Sequence, residues 1–360
     1  MHIRFLLIIS LVSILFACSK QNDIVTISSR SIGDGKGHDT IRWETFPLLD
    51  KTVKIYSYLN PDYPEFRSFE KEVSISDGST VISSPKEYHG RKYYYLLFDD
   101  TYPVFVANRV IKADSILNLR DLGGYVTANR KTIKWGKLFS SGRIQLTEKG
   151  KDLFNSLHIR TVIDLRSDEE WKKQKGRGVN ANVVRIPIEA CDISNTREKL
   201  KNNELKRDDA TVFMQDAFKS MAMDYQEEFS KMFEILLDSI NYPILISCNA
   251  GNDRCSFASA LILSALGVSH DQIVEDYLST YSIPNIRIEG HYAFDFSPEA
   301  QEAVTVLLSS DKKFIDAAFK EINTYYGSVE HYLKVAMKLD VAKRARLQRL
   351  LLTNGFGGNQ

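Results

Sequence analysis

Cys248 and Arg254 bracket a run of five small or polar residues, Asn249-Ala250-Gly251-Asn252-Asp253. Before them, Tyr242-Pro243-Ile244-Leu245-Ile246 reads as a buried strand. After them, Phe257, Leu261, Ile262 and Ala265 recur at helical spacing until Gly267. A tight loop entering a helix presents unpaired backbone N–H groups and the positive end of the helix dipole, so it binds anions. A thiol in that position beside an arginine has its pKa lowered to roughly 3.5–7.5 and becomes a nucleophile at neutral pH. The planar fork of an arginine takes two phosphate oxygens at once and follows them into the transition state. Gly251 at mid-loop permits a strained backbone and a close approach of the anion. The bare spacing fits a core cysteine and a helix-start arginine as well, so the surrounding elements decide.

Thr161-Val162-Ile163 is a short buried strand with Asp164-Leu165-Arg166-Ser167 at its carboxyl end. Ligands of an open α/β sheet lie beyond that end, which places Asp164 and Arg166 where Cys248 is placed. Asn118-Leu119-Arg120-Asp121-Leu122-Gly123-Gly124-Tyr125 puts a glycine pair at a tight turn. Residues 146–157 have helical spacing with Thr147 as cap. Residues 191–238 are a long, largely helical excursion. Their stripe of Phe213, Met214, Phe218, Met221, Phe229, Met232, Phe233 and Leu236 reads as core, and the segment is long enough to serve as a lid. Further helices are expected over 269–281, from Ser297-Pro298-Glu299 to 308, and over 314–326, 329–337 and 341–352. His270, His291 and His331 share no ligand spacing, so neither a metal nor a cofactor is expected.

Three segments, residues 118–125, 164–167 and 247–254, together resemble the signature blocks of the bacterial tyrosine-phosphatase family. Its members include atypical tyrosine, dual-specificity and phosphoinositide phosphatases. Asp276-Tyr277-Leu278, Tyr326-Gly327-Ser328 and Tyr332-Leu333 match its C-terminal helical pattern, so the resemblance covers residues 112–352. It implies a cysteine-phosphatase α/β fold and a phosphocysteine intermediate without metal. Position by position, Cys248 becomes the nucleophile and Arg254 the phosphate clamp. The amides of Asn249, Ala250, Gly251, Asn252, Asp253 and Arg254 form the cradle, and Arg166 is a further phosphate contact. Asp253 and Asp164 are the candidate general acids, Asp253 ranked first because it sits on the loop. Three positions depart from the family: Ser247 replaces a histidine, Asn252 a lysine, and Cys255 a threonine or serine. Each removes a helper of the reaction, and the loss of lysine points away from polyphosphorylated inositols.

The chain has 360 residues, is 43% hydrophobic and carries a formal net charge of +1, which favours neither nucleic acid nor a polybasic membrane surface as partner. Residues 5–17 are apolar behind Arg4, too short to span a bilayer but the right length for a signal peptide. Leu15-Phe16-Ala17-Cys18 resembles the lipobox of bacterial lipoproteins, which implies lipid on Cys18. Export leaves Cys191, Cys248 and Cys255, an odd number in an oxidising compartment. The expected order is signal peptide 1–17, tether 18–39, β domain 40–111, phosphatase domain 112–353 and flexible tail 354–360. Alternation in 53–57 and 73–75, with a turn at Ser76-Asp77-Gly78-Ser79, gives the β domain as a small sandwich of immunoglobulin or fibronectin type. The fold class is therefore α/β, a central mostly parallel sheet flanked by helices, preceded by that sandwich. The functional expectation is an exported, lipid-anchored phosphatase of the cell envelope, on its periplasmic or outer-surface side. Its substrate would be a phosphorylated protein or small phosphomonoester, and its membrane contact the N-terminal lipid. The alternatives are a catalytically weak phospho-ligand binder and, third, a sulfurtransferase.

Overall fold

The computed structural model describes residues 25–84, 90–113, 115–173, 179–190, 196–280 and 296–353. The residues read as a signal peptide, with Cys18, Cys191, His291 and residues 354–360, lie outside the described residues.

Strands β1 (Thr26–Gly33), β2 (His38–Phe46) and β5 (Ser79–Ser83) form one antiparallel sheet in the order β1-β2-β5. A second antiparallel sheet, β4-β3-β6-β7, consists of β3 (Thr52–Tyr58), β4 (Ser68–Ser74), β6 (Tyr93–Phe98) and β7 (Tyr102–Ala107). Inward residues of both, among them Ile41, Trp43, Val53, Ile55, Leu96 and Phe98, share one core. The reading of 18–39 as tether fails from residue 26 onward. Gly33, Gly35 and Gly37 mark a hairpin turn, not a linker. Gly35 and Gly37 take φ of 76° and 95°, and the Asp34 carboxylate accepts the Lys36 and His38 N–H groups.

The second unit is built on a five-stranded sheet, β12-β11-β13-β10-β8. Its members are β8 (Arg120–Asp121), β10 (Leu138–Ser141), β11 (Thr161–Asp164), β12 (Asn182–Arg185) and β13 (Ile244–Ser247). Strands β12, β11, β13 and β10 run parallel, and β8 is antiparallel at the edge. A small pair, β9 (Thr132–Ile133) with β14 (Leu352–Thr353), closes the chain back on itself. Register aligns Asp164, Ser247 and Ser141 in one row at the carboxyl ends.

The sheet is covered on both faces, as parallel strands require. Phe139, Val162 and Leu245 point towards α1 (Glu148–Ser156), which Thr147 caps through the Gly150 N–H. Leu138, Ile163, Ile244 and Ile246 point towards α6 (Asp253–Leu266). Helix α6 is apolar nearly all round and accordingly buried nearly all round. It is packed by α4 (Arg207–Met223), α7 (His270–Ser279), α10 (Val329–Val335) and α11 (Val341–Leu351). The shorter α2 (Asp168–Lys173) and α3 (Thr196–Lys201), with α5 (Gln226–Leu236), α8 (Pro298–Leu308) and α9 (Lys312–Tyr326), complete the shell. Among the described residues no helix is long and apolar enough to cross a membrane.

The two units meet at a buried ion pair. Arg91 Nη1 donates to Asp121 Oδ2 at 2.6 Å, with both side chains almost fully enclosed. The same carboxylate accepts the Gly123 N–H at 2.7 Å and the Gly136 N–H at 2.8 Å. Trp135 Nε1 donates to the Phe105 carbonyl at 3.1 Å. Gly124, at φ 82°, must be glycine, because a Cβ there would lie 2.1 Å from the Trp135 ring. Arg91→Ala leaves Asp121 a buried charge without its cation. The expected cost is about 3–5 kcal/mol in urea unfolding; an unchanged midpoint would show that this seam carries no stability.

Candidate active site

The loop between β13 and α6 wraps around one sulfur. Cys248 is 1% exposed, and the Gly251 N–H reaches its Sγ at 3.2 Å. Gly251 has φ 74°, and a Cβ on it would stand 2.3 Å from the Gly142 nitrogen. The loop is stitched to the end of β10 by main-chain bonds. Cys248 N donates to the Ser141 carbonyl at 3.2 Å, and Arg143 N to the Asn249 carbonyl at 3.0 Å. Asn118, itself at φ 50°, donates from Nδ2 to the Gly251 carbonyl at 2.7 Å, fixing the orientation of that peptide.

The electrostatics follow from this packing. Burial pushes the Cys248 thiol up, but hydrogen bonding from Cys255, the Arg254 charge and the Gly251 N–H together lower it to about 7. Cys255 is held well above the ordinary thiol value by burial and by the adjacent Cys248 charge, so it stays protonated and remains a donor. Its sulfur also lies 3.3 Å from the Ser141 carbonyl. Asp253 is pushed up to about 7, first by burial and then by the Cys248 charge. Its Oδ1 is buried without a hydrogen-bond partner among the described residues.

Arg254 is held by a residue that sequence spacing does not mark. Glu170 on α2 accepts from Nη1 at 2.6 Å and from Nη2 at 2.8 Å, a bidentate pair, and the Ile188 carbonyl accepts from Nη1 at 3.1 Å. Glu170 is fixed in turn by Ser167. The Ser167 N–H donates to Glu170 Oε2 at 2.9 Å, and the Glu170 N–H to Ser167 Oγ at 3.2 Å. This is a capping box, and Ser167-Asp168-Glu169-Glu170 carries its S-x-x-E signature in the sequence.

The remaining candidates separate. Asp164 sits at the strand end as expected, but its carboxylate is committed to Arg166. Nε lies 3.0 and 3.1 Å from its two oxygens, Nη2 2.6 Å away, and the Arg166 N–H 3.0 Å away. Arg166 is also stacked 4.9 Å from the Trp171 ring centre. The side chain of Asn252, whose backbone amide is the part expected in the cradle, points inward and accepts from Thr280 Oγ1 and from Ser310 Oγ at 2.9 Å. Ser247 donates to the Gly142 carbonyl at 2.9 Å. Arg120, fully buried, donates to the Asp276 carbonyl at 3.1 Å and to its Oδ1 at 3.3 Å, and Tyr125 Oη donates to the same Oδ1 at 2.7 Å. The glycine-turn block is tied to α7 by that network.

Residues 111–353 match the model of the tyrosine phosphatase family. The chain is 29% identical over 244 residues to a Cupriavidus necator protein named for tyrosine-protein phosphatase activity, covering 64% of this chain and 85% of that one. It is 28% identical over 254 residues to the triple specificity protein phosphatase PtpB of Mycobacterium tuberculosis, covering 61% and 91%. Among solved structures, the catalytic core of the PP-IP phosphatase SIW14 from S. cerevisiae aligns with 57% of this chain and 93% of its own, at 15% identity. Its TM-score of 0.25 is too low to bear on the fold.

Proposed function

Because the chain belongs to the tyrosine phosphatase family, we propose that it hydrolyses phosphomonoesters of the phosphotyrosine type through a phosphocysteine on Cys248, from the outer side of a membrane to which Cys18 is lipid-anchored. The observation that carries this reading is a single buried sulfur, lowered to about 7, that accepts the Gly251 N–H at the mouth of a helix beside Arg254.

The Cys248 thiolate attacks phosphorus as the bond to the aryl oxygen breaks. Asp253 gives its proton to the leaving oxygen, and Arg254 with the loop N–H groups holds the equatorial oxygens. Water then attacks the phosphocysteine, returning its proton to Asp253 and the electron pair to sulfur, where Cys255 donates a hydrogen bond. Asp253 is preferred to Asp164 as the acid, because Asp164 is the counter-ion of Arg166. Asn252 stands where the resemblance implies a lysine and its side chain is turned inward, so the loop lacks that cation, which suits a single phosphoryl group.

The test is rapid acid quenching of the enzyme with p-nitrophenyl phosphate, followed by mapping of the adduct. One phosphoryl group on Cys248 is expected. Bound phosphate with neither adduct nor turnover would instead make the loop a recognition site.

The pH dependence is a second check. Activity rises as Cys248 loses its proton through about 7 and falls as Asp253 loses its own through about 7, a narrow bell. Asp253→Asn is expected to cost about 10²–10⁴-fold in kcat/KM and to abolish the descending limb. The linkage has a sign. A carboxyl raised in the folded state stabilises below its unfolded value of 3.8, and that contribution is lost as pH rises through about 7. The Asn variant is therefore expected to gain stability relative to wild type at pH above 7. A full-rate variant with an unchanged bell would remove Asp253 from the mechanism.

A further inference from the structure

The β domain has two ends with different surroundings. At one end β1 and β3 finish, β6 begins and β7 finishes, and there the phosphatase domain is attached. Lys112 Nζ donates to the Asp34 carbonyl at 2.9 Å, Lys137 pairs with Asp62, Arg91 with Asp121, and Trp135 with the Phe105 carbonyl. At the opposite end the chain enters β1, and Thr26 is the cross-strand partner of Phe46. Phe46 is 78% exposed and Leu48 77%, both at the turn from β2 into β3. Neither belongs to the core that the two sheets enclose, although the adjoining Leu49 packs against it.

We propose that this tip rests on a zwitterionic lipid bilayer, with Phe46 and Leu48 as its apolar contacts, and that the β domain is an oriented stand-off for the phosphatase. The inference rests on Cys18 carrying lipid. Cys18 lies eight positions before Thr26, and eight residues of chain reach at most about 28 Å. A lipid there keeps the start of β1, and with it Phe46, within that distance of the membrane. Strand β1 has eight residues and spans about 26 Å, so the junction end and the catalytic domain stand roughly a strand length further out. The rim of the tip carries Asp50, Asp77, Asp99 and Asp100 against Lys51 and Lys54, with ion pairs Lys51–Asp99 and Lys54–Asp100. That excess of carboxylates repels anionic headgroups and leaves zwitterionic ones as the surface that suits.

The molecule contains its own control. Phe66 is 79% exposed but lies between β3 and β4 at the junction end. Full-length lipidated protein would carry photoreactive benzoylphenylalanine in place of Phe46 or Phe66, in phosphatidylcholine–phosphatidylethanolamine vesicles. Lipid adducts are expected at position 46 and not at 66, and fewer of them when phosphatidylglycerol is added. Protein that floats with the vesicles but gives equal adducts at both positions, or none at 46, overturns the docked tip while leaving the anchor intact. Protein that does not float overturns the anchor and this proposal together.

Discussion

Cys248→Ser is expected to reduce turnover of p-nitrophenyl phosphate to background while inorganic phosphate and vanadate still bind. The reasoning starts from the sulfur's surroundings. Its acidity depends on the Cys255 hydrogen bond, the Arg254 charge and the Gly251 N–H, all of which act on whatever sits at that point. A serine hydroxyl placed there stays protonated at neutral pH, so the nucleophile disappears. The donors remain, and so does the affinity for a phosphate. Loss of a nucleophile typically removes about six orders of magnitude in kcat where the residues act as a unit. Retained phosphate affinity, read by protection of melting temperature, distinguishes lost chemistry from a lost site. A serine variant that still turned over at more than a trace would place the reaction elsewhere.

Glu170→Ala should damage both rate and stability. Arg254 is 4% exposed, and both of its terminal nitrogens are held by the Glu170 carboxylate. Removing one partner of a buried pair leaves an uncompensated charge and costs about 3–5 kcal/mol. The same carboxylate accepts the Ser167 N–H, so the first turn of α2 loses its cap as well. Freed of its fork, the guanidinium no longer waits in the phosphate-binding orientation, and kcat/KM falls by about 10²–10³-fold, the scale of a lost oriented donor. Glu170→Gln keeps the shape and one acceptor and should recover part of both losses. If the alanine variant melts like wild type and turns over normally, Arg254 is positioned by something other than Glu170.

How legible this was depends on the range of each interaction. The strand-loop-helix around Cys248 was readable because its parts are contiguous and their periodicities change at Ser247 and Arg254. Asp164 was placed at a strand end for the same reason, and the register puts it beside Ser247. Its commitment to Arg166, two residues on, leaves no trace in hydrophobic pattern. Glu170 and Asn118 reach Arg254 and Gly251 across 84 and 133 positions, and sequence spacing carries no signal at that range. Glu170 at least stood in an S-x-x-E box, which marks a helix start but not a second duty. The glycines at 33–37 misled for a physical reason, since the same residues that loosen a linker also close a hairpin. The Cys255 thiol meets the Ser141 carbonyl across 114 positions, another contact that sequence spacing does not carry.

The Arg91–Asp121 pair has a consequence for anyone who would work with the catalytic half alone. A fragment cut where the family match begins, at residue 111, inherits the aspartate and discards the arginine, along with the Phe105 carbonyl that receives the Trp135 indole. The strand so wounded also carries Arg120 and follows Asn118, the brace of the phosphate loop. The seam is therefore not a perforation along which the gene divides cleanly: the β domain is part of the foundation on which the second unit stands.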